Sequence, residues 1–138
     1  MALIRNLILH HATDRLYSNQ LPTELAHELA EARSVGIVPI RVDDAEFAGI
    51  ANAGTIKWAV IENRDLLIIP KYVDTIEIKH TVLSNGSPVW AAGEADIAIT
   101  NNRMFGIEIN HYSGHYRPDI ESLEIGRAAF AAYGIEFP

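Results

Sequence analysis

Apolar and polar positions along this chain change their spacing near residue 54, from a helical period to short apolar runs divided by turns. Upstream, Leu21, Leu25 and Leu29 stand four apart, the first of them just before a stretch that opens on Pro22 and stops at Gly36. That pattern predicts an amphipathic helix over 22–36. Residues 41–53 predict a second, shorter helix capped by Asp43 or Asp44 and weakened by Gly49. From Gly54 onward, apolar runs cover 56–61, 66–69, 75–83, 89–100 and 104–110, with Glu-Asn-Arg-Asp, Ser-Asn-Gly-Ser and Asn-Asn-Arg among the turns between them. Turns that short join antiparallel neighbours, so a five-strand antiparallel meander is expected. Residues 119–133, with Pro118 before them and Gly134 after, predict the closing helix.

The order helix, antiparallel sheet, helix describes an α+β domain with helices covering one sheet face. At 138 residues, 49% of them hydrophobic, the chain suffices for one domain with a core and is short for two. We read 1–138 as a single domain, its helical part at 1–53 and the meander with the C-terminal helix at 54–138. No apolar run nears the roughly 20 residues of a membrane span. The start, Met-Ala-Leu-Ile-Arg-Asn, lacks the pattern of an export leader. A soluble chain is expected, in the cytoplasm or delivered by a secretion system without a signal of its own. The absence of cysteine excludes disulfides, thiolate metal sites and a cysteine nucleophile. A formal charge of −7, with only 11 dispersed basic residues, argues against extended nucleic-acid binding, which lysine and arginine drive.

The densest polar stretch is Asn110-His-Tyr-Ser-Gly-His-Tyr-Arg-Pro-Asp119, where the last strand passes into the last helix. A rigid scaffold hands polar groups to a ligand at such junctions. Strand parity sets His80 with Ile76, Ile78 and Val82, and His111 with Phe105, Ile107 and Ile109, on the core side near a strand end. Each is either a core histidine satisfied by a backbone carbonyl or one of a functional pair. His115, just before a helix opened by Pro118, would meet free amides and the helix dipole as a neutral base or donor; otherwise it caps the turn with Ser113. Arg117 and Ser113 with those amides make an anion seat, unless Arg117 pairs with Asp119 or Glu121. Tyr112 and Tyr116 alternate across the turn, and one of them is expected to pack.

Glu94 lies among small residues beside Gly93, which admit a second backbone or a ligand, and it shares a face with Asp96. Those carboxylates are either solvent-exposed or a pair for acid and base work. The catalytic candidates are thus His80, His115 and Glu94; the ligand-binding candidates are Ser113, Tyr116, Arg117 and His111. Gly114 breaks the helical spacing that His111 and His115 would need to share a metal, and His10 and His11 are adjacent, so no metal site is expected. No phosphate-cradling glycine loop, dinucleotide fingerprint or Gly-x-Ser-x-Gly elbow is present, and no cofactor is expected.

Ser113-Gly-His-Tyr-Arg-Pro118, with Ile78-Lys-His-Thr-Val-Leu-Ser-Asn-Gly and Ala91-Ala-Gly-Glu upstream and Glu121-Ser-Leu downstream, resembles a module of plant IQ-motif-containing calmodulin-binding proteins and of bacterial toxin- or effector-like proteins. The likeness covers about a third of the chain. The calmodulin-binding IQ helix is absent, so calmodulin binding is not carried over. The resemblance implies that His80, Gly93, Glu94, Ser113, Gly114, His115, Tyr116 and Arg117 belong to one module. Together these readings lead us to expect a small bacterial effector- or toxin-like domain, a metal-independent histidine-dependent hydrolase or nuclease-type enzyme acting on an anionic substrate. The alternative is a noncatalytic module that binds a small anion or a protein partner. A homodimer paired through an exposed sheet edge is a third expectation.

Overall fold

A computed structural model describes residues 14–138, so the His10-His11 pair lies outside the described residues. The chain is α+β, as its element order predicts. A 3-10 turn at Pro22–Glu24 leads into helix α1 (Leu25–Ser34), and helix α2 spans Phe47–Ala53. Gly36, at φ +73°, ends the first helix while the Ile37 amide bonds back to the Ala32 carbonyl at 3.0 Å. That is the left-handed C-terminal motif the glycine announces. Strands β1 (Ile56–Ile61) and β2 (Leu66–Pro70) form a hairpin. A small separate ribbon follows, of β3 (Tyr72–Val73) and β4 (Ile76–Glu77). Helix α3 (Thr81–Ser84), strands β5 (Val89–Thr100) and β6 (Arg103–Ile109), a 3-10 turn at Ile120–Ser122 and helix α4 (Leu123–Ala131) complete the chain.

The five-strand meander is corrected. Among the described residues the main sheet has four antiparallel strands in the order β2-β1-β5-β6, with the β3-β4 ribbon outside it. Only Ile76 and Glu77 of the apolar run 75–83 pair as strand; the run then turns into α3, whose Thr81, Val82 and Leu83 are buried. Asn85 and Gly86, at φ +55° and +81°, supply that helix with its left-handed end. An apolar run ending in Asn-Gly fits a strand before a turn and a helix before its cap alike, and tertiary burial decides between them. At the β5-β6 turn, Asn101 and Asn102 both take positive φ, the geometry a tight hairpin needs.

Helices also cover both sheet faces, where one was expected. Ile56, Trp58 and Val60 point to a core shared with Phe47 of α2 and Phe130 of α4, Trp58 meeting Phe130 edge-on with ring centroids 5.9 Å apart. Ala59, Ile69 and Ala92 point the other way, beneath Ala32 of α1, Val82 and Leu83 of α3, and Tyr116. Lys57 shares this second face by strand alternation and stands directly across from Glu94 in the β1-β5 register. Edge strand β6 keeps Phe105 and Ile107 exposed. Among the described residues no helix is long and apolar enough to cross a membrane.

Candidate functional site

Where the second core ends, the same sheet face opens into a cleft of ≈ 260 Å³. Lys57 and Glu94 form its floor, Glu77, Lys79 and His80 one wall, and Tyr112, Ser113, Gly114 and His115 the other. The third side depends on Gly93. A Cβ there would lie 1.9 Å from the Asn110 carbonyl oxygen, so only glycine lets the chain leaving β6 cross so closely over β5. Asn110 fixes the crossing: its Oδ1 accepts the Glu94 and Tyr112 amides, each at 3.0 Å, and its own amide donates to the Glu94 carbonyl at 3.0 Å. Beyond it, Tyr116 drives its ring into the core and its hydroxyl bonds Ser84 Oγ at 2.7 Å and the Ser87 carbonyl at 3.0 Å. Residues 111–115 are thereby pinned across the cleft at both ends.

His80 is 2% exposed, and its Nε2 lies 2.8 Å from the Gly93 carbonyl. A carbonyl can only accept, so Nε2 carries the proton and Nδ1 keeps a lone pair. Burial, with Lys57 and His115 nearby, pushes the imidazole pKa down to about 3. His80 is therefore neutral at physiological pH and a weak base there. It belongs to the bend before α3 rather than to a strand.

His115 takes a different partner. Its Nε2 is hydrogen-bonded to Glu28 Oε2, and Glu28 Oε1 accepts the Thr81 hydroxyl at 2.8 Å. The two side chains are only 11% and 5% exposed. A carboxylate in that position orients the ring and leaves Nδ1 as the nitrogen available to the cleft. The helix amides expected after Pro118 do not reach His115: helical structure there begins only at Ile120, and the His115 carbonyl accepts the Gln20 amide at 2.6 Å. The electrostatic setting predicted from Pro118 is thus replaced by a carboxylate from α1.

The charges of the cleft are arranged in pairs. Lys57 Nζ lies 2.9 Å from Glu77 Oε2, and Lys79 Nζ 3.7 Å from Glu77 Oε1. Lys71 Nζ lies 3.1 Å from Glu94 Oε1. Burial pushes the Lys57 pKa down against the pull of Glu77, while the Lys57 hydrogen bond holds the Glu77 carboxyl below its ordinary range. Burial acts to lower the Lys71 pKa as well, but the hydrogen bond and charge of Glu94 raise it overall.

Of the residues singled out from sequence, His80, Glu94, Ser113 and His115 line this cleft, and Tyr116, Arg117 and His111 do not. Tyr116 is the tyrosine that packs, while Tyr112 stays exposed. Arg117, at φ +44°, turns its side chain back to the Gly114 carbonyl at 3.3 Å and out to solvent, so the anion seat it was expected to share with Ser113 does not form. Neither does its alternative pairing with Asp119, whose carboxylate bonds Arg15 at 2.7 Å. His111 sets its ring against Tyr112 at a tilt of 51°, with centroids 5.3 Å apart. Ser113 Oγ is occupied as acceptor of the Tyr116 amide at 3.2 Å.

Sequence reasoning missed Glu28, Lys57 and Glu77. Glu28 had a signal, since it follows Leu25 by three and precedes Ala32 by four, which sets a carboxylate on the apolar side of its helix. Among the described residues no three His, Asp or Glu side chains are grouped to hold a metal ion. No family model matches the chain, and no curated protein or solved structure matches it either.

Proposed function

We propose that this chain is a small hydrolase that acts by acid–base chemistry on an anionic substrate, with His115 as its proton-transferring group. The observation that supports this reading is the buried Glu28–His115 pair at the cleft wall. A carboxylate behind an imidazole fixes the tautomer and stabilises the imidazolium that forms when the other nitrogen takes a proton. In the proposed reaction His115 Nδ1 takes a proton from water, the oxygen attacks the substrate, and the same proton passes to the leaving group. Lys57 and Lys79 oppose the negative charge that builds up meanwhile. His80, neutral and bonded to Gly93, serves as a hydrogen-bonding group beside the reacting atoms. Glu94, tied to Lys71, holds the floor of the cleft. The effector or toxin class enters from the resemblance of the 113–118 segment, and with it a place in the cytoplasm or delivery by a secretion system.

Expression in bacteria tests the reading. Growth arrest is expected from the wild-type chain and rescue from His115→Gln, which can still donate to Glu28. Arrest by both chains alike contradicts it. The pairing of every charged side chain on the cleft wall and floor favours a second reading, a noncatalytic binding module. It predicts protection against heat by an anionic ligand with no turnover.

A further inference from the structure

We propose that Lys57 and Lys79 form a phosphoryl-binding subsite in the cleft, and that the Glu77 carboxylate is an internal occupant which a phosphate dianion displaces. This inference rests on reading the cleft as a site for an anionic substrate. Lys57 rises from a central strand with its side chain only 5% exposed, whereas Glu77, at 38%, comes from the two-residue strand β4 outside the main sheet. The buried cation is on the rigid element and its counterion on the short one. An ammonium this deep needs an anion, but nothing in its own strand supplies it.

The charge count selects the ligand. Two ammonium groups share the single Glu77 carboxylate, which leaves one positive charge over. Lys71 and Glu94 satisfy each other and do not offset it. A monocarboxylate that replaced Glu77 would leave the balance as it was and lose its freedom of motion on binding. A phosphate dianion cancels both lysines and offers acceptors on several oxygens to ammonium groups with three donors each. Ser113, Gly114 and His115 stand on the opposite wall, so a phosphoryl group held by the lysines faces His115 across the cleft.

Thermal unfolding with inorganic phosphate tests this, at mildly alkaline pH where the dianion dominates, with acetate and chloride at matched ionic strength. Phosphate is expected to raise the wild-type Tm, to raise that of Glu77→Gln further, and to leave Lys57→Met unmoved; acetate should do nothing. Lys79→Met, at a more exposed position, is expected to weaken phosphate affinity about tenfold, and it decides the matter if Lys57→Met fails to fold. Equal protection of either lysine variant and wild type overturns the subsite, as does a smaller shift in Glu77→Gln or no shift in the wild type. Phosphate protection without turnover leaves the subsite standing and sinks the hydrolase reading. Turnover with unchanged phosphate binding in Lys57→Met does the reverse.

Discussion

Glu28 is held by two donors, the Thr81 hydroxyl at 2.8 Å and the His115 imidazole, with its side chain 5% exposed. Deleting the imidazole strands a buried carboxylate, so His115→Ala should destabilise the fold by about 3–5 kcal/mol in urea unfolding. The double variant Glu28→Gln with His115→Gln keeps the shape and removes the buried carboxylate, and it should recover most of that loss. His80 makes a separate prediction. Its folded pKa of about 3 lies below the ordinary imidazole value of 6.5, so on acidification the unfolded chain takes up the proton first. The sign of this linkage is that stability is full above the ordinary value and falls as pH drops through the window down to the folded one, by up to roughly 1.4 kcal/mol per pH unit. Glu77, with its carboxyl held below the usual range, adds a loss of the same sign at the acidic end. His80→Asn should flatten the upper part of that slope in acid titrations followed by circular dichroism; an unchanged slope would show that the buried imidazole is not its source.

At the scale of elements, Gly93 joins the sheet to the site. An added methyl would meet the Asn110 carbonyl oxygen at 1.9 Å, a backbone atom that cannot swing aside, so Gly93→Ala should destabilise by at least about 3 kcal/mol and move the 111–115 segment off the cleft. Wild-type stability in that variant would mean the crossing is looser than it looks. The small-residue stretch around Gly93 made a close approach legible in the sequence, and the Leu21, Leu25, Leu29 spacing with Gly36 made the first helix legible too. Both signals are local. The third apolar run misled because Val82 and Leu83 can bury themselves from a strand or from a helical turn, and the sheet already had β5 as the partner of β1. The setting of His115 was illegible for a related reason: its carboxylate comes from a helix 87 residues away in sequence, and strand parity carries no information about such a partner. Arg117 read as a ligand-binding cation because residue type says nothing of a positive φ that sends its side chain to solvent.

For the whole molecule, a net charge of −7 sits beside a cleft where Lys57 and Lys79 concentrate positive charge around one carboxylate. That contrast favours small anions over long polyanions, which the surrounding surface repels. Binding to mixed-sequence RNA should therefore be absent at physiological salt in a filter or anisotropy assay, while inorganic phosphate still protects against heat; tight RNA binding would contradict this division. The phosphoryl preference makes p-nitrophenyl phosphate a suitable reporter for the chemistry. The decisive measurement is its hydrolysis by the wild-type chain and by the Glu28→Gln, His115→Gln double variant, with the melting temperature of each recorded. Turnover by the wild type, lost at least about 100-fold in a double variant that melts within a few degrees of it, is the result expected of a proton-transferring histidine. Equal turnover by the two chains would remove His115 and Glu28 from the chemistry.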